Sequence, residues 1–245
     1  DSNEATRRKE QESFKETCDK YIHSGLTRNV TIQFLMERLV NMGCQPPPGF
    51  IRCEDCGNKL AGAGFGMVQE EEVAPCNTNT NTSSNDDAIR ARARIRQANR
   101  TPEMLQEQLQ AQEEGRVKLR LVPEIFLCQQ HLRGEIHAHQ CMAHELIHAI
   151  DMCRTKMDPI QNCVHLACTE IRAENLSGEC DWTRELIGGK MSKFSKHGQE
   201  CVKRRAKLSV MANPKCRDKV DDYINAAFER CYKDTFPFDR HPNLR

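Results

Sequence analysis

The sequence has no excess of charge of either sign. It carries 36 Lys and Arg residues against 35 Asp and Glu in 245 residues, a formal net charge of +1. This balance argues against a strongly basic nucleic-acid-binding protein and against a protein with an acidic tail. The sequence also lacks any apolar run that approaches the roughly 18 residues of a membrane-spanning helix, and its mean hydropathy is −0.71. Hydrophobic residues make up 38% of the chain, which suffices for a core if some segments stay solvated.

Cysteine, by contrast, is abundant. The 14 residues are Cys18, Cys44, Cys53, Cys56, Cys76, Cys128, Cys141, Cys153, Cys163, Cys168, Cys180, Cys201, Cys216 and Cys231. Their spread favours several disulfides over one metal cluster, and hence an oxidising compartment. The alternative is a reduced protein in which buried cysteines act as small apolar residues. The first residues, DSNEATRRKEQESFKE, show neither a starting Met nor the apolar region of a secretory signal, so an oxidised state needs another explanation.

Composition divides the chain into four stretches. Residues 1–16 are charged and predict a flexible arm. Residues 77–115 join the low-complexity run NTNTNTSSNDD to a basic and then acidic stretch without a sustained apolar face. We interpret 77–115 as an insertion outside the core. Residues 17–76 and 116–245 are then the N-terminal and C-terminal parts of the folded domain.

Hydrophobic periodicity predicts an α+β fold that is mostly helical. Apolar residues at helical spacing indicate two helices within residues 14–42, the second beginning near Asn29 or Thr31. Alternation over 117–121 predicts a strand that Pro123 interrupts, and hence a small sheet just before the helices that follow. Those helices are predicted at about 133–153, 161–177, 197–212 and 216–232.

Residues 144–148 read HELIH, an HExxH motif. On a helix, His144 and His148 lie one turn apart on the same face, so that their imidazoles can share one zinc ion. Glu145 lies beside them, where it can act on a water molecule as a catalytic base. The immediate neighbours are uncharged, as a buried active-site helix requires. The pattern predicts one zinc ion per chain and metal-assisted hydrolysis.

Two His ligands call for a third protein ligand if one position is to stay open for water. Glu170 and Glu174 lie one turn apart on the next predicted helix. We predict Glu170 as the third ligand and Glu174 as a residue that orients a ligand His; the alternative is that both are ordinary surface acids. Asp151 shares the face of His148, but about 10 Å of axial rise separates it from His144. We therefore assign Asp151 to support of the ligands or of the helix end.

Cys53 and Cys56, in the run CEDCG, resemble half of a zinc knuckle. A second pair with the same spacing is absent from the sequence. Other cysteines could complete a metal site with these two, or could pair with them as disulfides. The large number of other cysteines favours disulfides.

Several motifs occur in an order that is typical of one family. They are GCQPPPGFIRCEDCG, EIFLC, AHELIHAID, HLACTEIRAENLSGEC and a C-terminal pair of cysteine-bearing helices ending in RCYKDTFPFDRHP. In these motifs the chain resembles the mitochondrial inner-membrane zinc metalloproteases that also serve as ATP synthase assembly factors. The resemblance covers roughly residues 18–76 and 117–243, and the pairing of HELIHA with the downstream ACTEIRAENLSGEC makes it specific. The segment 77–115 departs from the family's pattern.

The resemblance implies a zincin-like, disulfide-stapled catalytic core within 116–245, with His144 and His148 as zinc ligands and Glu145 as the catalytic acid–base. It implies a location in the mitochondrial intermembrane space, peripheral to the inner membrane. Twin-cysteine proteins of that compartment are imported without a secretory signal and oxidised on arrival, which accounts for the cysteines. Family members process a membrane-sector subunit of ATP synthase and help to assemble it, so the implied partner is that protein substrate, and no nucleic acid is expected.

Two other classes of function stay open. One is a non-proteolytic chaperone or assembly factor whose metal site is structural or vestigial. The other is a disulfide-stapled binding module in which HExxH is accidental. Glu145 separates the enzyme from the assembly factor, because hydrolysis needs a proton carrier and a structural metal site does not. Zinc stoichiometry separates the binding module from both. The intact motif therefore favours a zinc endopeptidase.

Overall fold

A computed structural model of the chain describes residues 2–57, 62–72, 118–180 and 197–242. Within these ranges the fold is mostly helical with one small sheet, which confirms the predicted mix of elements. The elements are α1 (Ser2–Arg28), α2 (Val30–Asn41), β1 (Ile51–Glu54), β2 (Ala63–Glu72), β3 (Lys118–Cys128), α3 (Glu135–Arg154), α4 (Cys163–Leu176), α5 (His197–Ala212) and α6 (Val220–Lys233).

Side-chain caps set two of the helix starts. The Asn29 side chain accepts hydrogen bonds from the backbone N–H groups of Thr31 and Ile32 and so begins α2, as the sequence suggested. Asn162 begins α4 in the same way, accepting from the N–H groups of Val164 and His165. Each Asn satisfies two donors that the first turn of a helix leaves without an internal partner.

Two local predictions differ from the structure. Residues 2–16, interpreted as a flexible arm, continue α1 as helix, since this stretch is rich in the good helix formers Glu, Lys, Arg and Gln. Pro123 does not end the strand: β3 runs without a break from Lys118 to Cys128. The fixed φ of proline is compatible with extended backbone, so the residue removes one donor without forcing a turn.

The chain divides into two compact units. One comprises residues 1–65 and 124–245, and the other comprises 66–123. By number, the whole of the proposed insertion at 77–115 falls in the second unit, but that segment lies outside the described residues, as does Cys76.

None of the helices in the described ranges is both long and apolar enough to cross a membrane.

The sheet has the strand order β1-β3-β2. β1 pairs with β3 in parallel, with Ile51 opposite Ile125. Beside this pair, Arg52 donates two hydrogen bonds of 2.8 Å to the carboxylate of Glu124. Gly64 on β2 lies against the ring of Phe126, where an added Cβ would come within 2.5 Å of a ring carbon. Any other residue at this position would have to displace the Phe126 ring, and glycine avoids that clash.

Two hydrophobic clusters lie on either side of α4. The first joins α1, α2, the sheet and α3, and includes Cys18, Ile22, Ile32, Leu35, Leu39, Ile51, Ile125, Leu127, Met142, Leu146, Ile147 and Ile150. The second joins α4 to α5 and α6, and includes Val202, Ala206, Val210, Val220, Ile224, Ala227 and Phe228. α4 contributes Ala173 and Leu176 to the first cluster, and Ala167 and Ile171 to the second. The packing thus holds α4 against α3 on one side and against α5 and α6 on the other.

Twelve of the cysteines form six disulfides within the described residues. The pairs are Cys18–Cys53, Cys44–Cys153, Cys56–Cys128, Cys163–Cys216, Cys168–Cys231 and Cys180–Cys201. Cys141, on α3, is a free and buried thiol. The pairing agrees with the disulfide-rich fold that the cysteine count predicted.

Arg172 on α4 is fully buried and joins three parts of the fold. Its Nε donates to both carboxylate oxygens of Asp151 on α3, at 2.9 and 3.0 Å. Its two terminal nitrogens donate to the backbone carbonyls of Asp234 and Phe236, in the segment after α6. One side chain therefore ties the C-terminal segment to the two helices α3 and α4.

Replacement of Arg172 by Met is expected to lower the free energy of unfolding by about 3–5 kcal/mol, because it takes from the buried Asp151 carboxylate its closest cationic partner. Urea unfolding at pH 7, with the disulfides intact, measures this. Arg230→Met, at an exposed position on α6, is the matched control and is expected to change stability by no more than about 0.5 kcal/mol. A loss below about 1 kcal/mol for Arg172→Met would show that the pair contributes little.

Candidate metal centre

Helix α3 carries the HExxH motif on a buried face. Leu146 and Ile147, inside the motif, and Met142, before it, are fully buried in the first cluster, which fixes the rotation of the helix. His144 and His148 then lie side by side, with ring centroids 4.8 Å apart. Each imidazole is 12% exposed, so that one edge of the pair remains accessible.

Helix α4 brings Glu170 to the two imidazoles. His144 Nε2 lies 3.6 Å from one carboxylate oxygen of Glu170, and His148 Nε2 lies 3.7 Å from the other. A tetrahedral zinc site with bonds of about 2.0–2.1 Å has ligand atoms about 3.3–3.4 Å apart. The observed spacing is therefore close to that of three ligands around one zinc ion. The sequence predicted this approach of Glu170 from the next helix.

The second nitrogen of each imidazole has its own partner. His144 Nδ1–H donates to the carboxylate of Glu179 at 2.9 Å. His148 Nδ1 lies 2.8 Å from Thr169 Oγ1, and that hydroxyl donates its hydrogen to Asp151 at 3.0 Å. Since the hydroxyl has one hydrogen, it accepts from His148 Nδ1–H. These contacts leave the Nε2 atoms as the nitrogens available to a metal ion.

The surroundings of Glu170 fit a cation. Its Oε2 atom is buried and has no hydrogen-bond partner, and such an atom is costly to bury unless something compensates it. The ring nitrogens His144 Nε2 and His148 Nε2 approach the two carboxylate oxygens of Glu170, at 3.6 and 3.7 Å. Two imidazoles and one carboxylate are the ligand set of many catalytic zinc sites, with a fourth position left for water. His144, His148 and Glu170 therefore fit a zinc ion.

The protonation of the cluster follows from the same contacts. Burial alone would lower the pKa of His144, but the Glu170 carboxylate, 3.6 Å away, and the hydrogen bond to Glu179 raise that pKa well above its usual value. Burial lowers the pKa of His148 to about 4. Burial also acts to raise the pKa of Glu170, yet the nearby imidazoles lower it overall. A bound cation would replace the proton that His144 otherwise holds beside Glu170.

Glu145, the central residue of the motif, is buried at 7% exposure. Burial raises the pKa of this carboxyl to about 8; the nearby His144 opposes the shift, and the charge of Glu170 adds to it. A carboxyl group whose pKa lies near neutrality can both accept and donate a proton. Burial and the neighbouring carboxylates thus place a titratable group beside the two imidazoles.

A second set of carboxylates lies on the Nδ1 side of His144. Glu174, Glu179 and His144 bring their polar atoms within 4.8 Å of one another. Arg205 of α5 occupies this set: its Nε donates to Glu174, and another of its nitrogens lies 2.8 Å from Glu179. The guanidinium of Arg205 therefore balances the charge of the two carboxylates in this second set.

Of the residues predicted to support the ligands, the structure places one behind a ligand His and the others elsewhere. Asp151 stands behind His148 and reaches it through Thr169, which agrees with a supporting role. Glu174 pairs with Arg205, and it is Glu179 that bonds His144. Cys53 and Cys56 lie in separate disulfides, with Cys18 and Cys128, and neither offers a free thiolate.

Sequence reasoning missed Thr169, Glu179 and Arg205. Thr169 directly precedes the predicted ligand Glu170. That adjacency was the only sequence feature that pointed to its hydroxyl as a partner of a ligand His. Glu179 follows the end of α4, so helical periodicity does not relate its position to the HExxH motif. Arg205 is one of many basic residues in a charged helix.

Comparison with known proteins gives a family match that spans the motif, and several curated relatives. The sequence profile of the peptidase M76 family matches residues 93–239, more than half of the chain. The protein named mitochondrial inner membrane protease ATP23 of Coccidioides immitis is 47% identical over 117 residues, which are 47% of this chain and 49% of that protein. The protein of the same name from Yarrowia lipolytica is 44% identical over 117 residues, or 47% of this chain and 46% of that protein. No solved structure matches.

The matches cover only part of this chain and only part of its relatives. The chain matches about half the length of these curated relatives. The family match begins at residue 93, inside the segment 77–115 that we interpreted as an insertion, so the likeness extends into its second part. It does not include residues 18–76, for which motifs had suggested the same family.

Proposed function

The chain belongs to the peptidase M76 family, and from this premise we propose that it is a zinc-dependent endopeptidase. His144, His148 and Glu170 hold one zinc ion, and Glu145 is the catalytic acid–base. The observation that carries the proposal is the meeting of both Nε2 atoms with the buried Glu170 carboxylate, at 3.6 and 3.7 Å. One oxygen of that carboxylate has no hydrogen-bond partner.

The geometry supports a division of labour between the residues. When bound, zinc polarises the scissile carbonyl and lowers the pKa of a bound water toward about 7. Glu145 takes a proton from the attacking water onto its carboxylate and then passes it to the nitrogen of the leaving amine. Glu179 and Thr169 hold the Nδ1–H groups of the two imidazoles and keep the Nε2 atoms directed at Glu170.

We further propose the setting and the substrate. The enzyme works in the mitochondrial intermembrane space, peripheral to the inner membrane. It processes a membrane-sector subunit of ATP synthase and assists its assembly. Support comes from the motif resemblance and from relatives named mitochondrial inner membrane proteases. The six disulfides are in keeping with an oxidising compartment.

The purified, oxidised chain is expected to bind one zinc ion, and Glu170→Gln is expected to weaken that binding by more than about 100-fold. Loss of a residue that merely supports a ligand already costs about 10–100-fold, and loss of a ligand itself should cost more. Elemental analysis of the dialysed protein gives the stoichiometry, and competition with a chromophoric chelator gives the affinity.

Glu200→Gln is the matched control, since it makes the same chemical change at an exposed position on α5. This variant is expected to bind zinc as the wild type does. Unchanged affinity in a folded Glu170→Gln variant would remove Glu170 from the ligand set. A wild-type chain without zinc would overturn the proposed metal centre.

A further inference from the structure

We propose that Glu179 is a positioning residue for His144, and that the Cys180–Cys201 disulfide holds Glu179 in place. The inference rests on the proposed zinc site, because the group that Glu179 positions is one of its ligands. It assigns a function to one disulfide out of six, beyond the general stabilisation of the fold.

Glu179 lies in a turn. α4 ends at Leu176, and the chain then reverses through Gly178, whose φ of 84° is a conformation that favours glycine. From this turn, the Glu179 carboxylate accepts the hydrogen bond from His144 Nδ1–H at 2.9 Å. The position of Glu179 therefore depends on contacts outside the regular structure of α4.

Arg205 supplies one such contact. Its guanidinium lies 2.8 Å from the same Glu179 oxygen that accepts from His144. Arg205 also bonds to Glu174, which is on α4 and 2% exposed. The guanidinium thus joins the turn to α4 and to its own helix, α5.

The disulfide fixes both members of this pair. Cys180 is the next residue after Glu179, and Cys201 lies one helical turn before Arg205 on α5. A single covalent link therefore sets the distance between the segment that carries Glu179 and the helix that carries Arg205. Without it, the carboxylate and its guanidinium are joined by ionic contacts alone.

The hydrogen bond from His144 Nδ1–H to Glu179 determines how His144 can bind a metal ion. A hydrogen bond to a carboxylate keeps the proton on Nδ1, turns the ring, and makes Nε2 a stronger electron donor. Removal of such a partner from a metal-binding His commonly costs about 10–100-fold in metal affinity. Since His148 bonds a neutral hydroxyl at the corresponding atom, the carboxylate of Glu179 makes the larger electronic contribution.

The first test is Glu179→Ala. The affinity of the oxidised variant for zinc, measured by chelator competition, is expected to fall by about 10–100-fold. The visible absorption spectrum of the cobalt(II)-loaded protein is expected to change, because the ring of His144 is no longer held at one angle. A purely structural role would leave this spectrum as it is in the wild type. Glu179→Gln retains an acceptor oxygen and is expected to lie between the wild type and Glu179→Ala.

The second test removes the disulfide and has a matched control. Cys180→Ser/Cys201→Ser is compared with Cys163→Ser/Cys216→Ser. Each pair contains one half-buried and one buried cysteine. The sequence separations are 21 and 53, so loss of the control disulfide is expected to destabilise the fold at least as much. Zinc affinity is expected to fall about 10-fold or more in the first variant and to stay unchanged in the second.

Two results would overturn the inference alone. One is wild-type zinc affinity and an unchanged cobalt spectrum in folded Glu179→Ala; the other is an equal loss of affinity in both disulfide variants. If Glu179→Ala does not fold, the disulfide variants decide the question. A wild-type chain that binds no zinc would instead refute the proposed metal centre, and the inference with it.

Discussion

Glu145→Gln is expected to lower the rate of peptide cleavage by about 10²–10⁴-fold or more while zinc stays bound. The substitution preserves the shape of the side chain but removes the carboxylate that takes a proton from water. Zinc is retained because the proposed ligands are His144, His148 and Glu170. Burial raises the pKa of Glu145 to about 8 in the metal-free protein, so a neutral amide suits this environment, and the fold should persist.

The measurement is turnover of a peptide taken from the proposed substrate, a membrane-sector subunit of ATP synthase, together with zinc content and melting temperature. Glu200→Gln again serves as the control for an exposed acid on the same unit. Turnover near the wild-type rate in Glu145→Gln would remove this residue from the mechanism. Loss of zinc together with activity would instead assign Glu145 to the metal site.

The same variant separates cleavage from assembly. If the chain is both a peptidase and an assembly factor, Glu145→Gln should lose processing and keep assembly of the membrane sector. If it is an assembly factor with a structural metal site, wild type and variant should behave alike in both assays. A structural site would have no use for a buried acid beside its ligands, which is why the peptidase is favoured.

Reduction of the disulfides is expected to unfold the protein at 37 °C. One closed loop contributes about 2–4 kcal/mol, and the described loops span separations from 21 to 109 residues. A domain of ordinary stability has about 5–15 kcal/mol in total. Loss of a few of these loops is therefore comparable to the whole stability, even though their contributions do not add.

Circular dichroism and thermal melting, with and without a phosphine reductant, measure the effect. Thiol titration of the unfolded, unreduced chain is the companion experiment. Six disulfides account for twelve of the 14 cysteines, so at most two thiols should react. Cys141→Ala should lower the thiol count by one and leave the melting curve sensitive to reductant. Ten or more reactive thiols would overturn the disulfide assignment.

The parts of the site that follow a regular period could be predicted from sequence. In any helix, the HExxH spacing places two imidazoles on the same face, independent of the tertiary fold. Glu170 was accessible to the same reasoning, because the following helix packs against the first and presents its acids at helical spacing. The first prediction depends on local geometry alone, and the second needs in addition only that two consecutive helices pack together.

The remaining parts depend on the tertiary fold. Helical spacing predicts Glu174 as the residue that orients a ligand His, since it follows Glu170 by one turn. The structure instead directs Glu174 to Arg205, and Glu179 reaches His144 from a turn whose path no periodicity indicates. Cysteine pairing is similar: a count of 14 indicates disulfides, but the partners are set by which helices pack together.

The order of the disulfides along the chain has a consequence for biogenesis. Three disulfides join cysteines up to Cys153, and the other three join cysteines from Cys163 onward. Within the described residues, no disulfide links the first set of cysteines to the second. Six cysteines can pair in about 15 ways, whereas twelve taken together can pair in on the order of ten thousand. A chain that enters an oxidising compartment N-terminus first can therefore complete one set before the other arrives. The residues of the proposed metal centre, from α3 and α4, then come together as the joint between two separately oxidised halves.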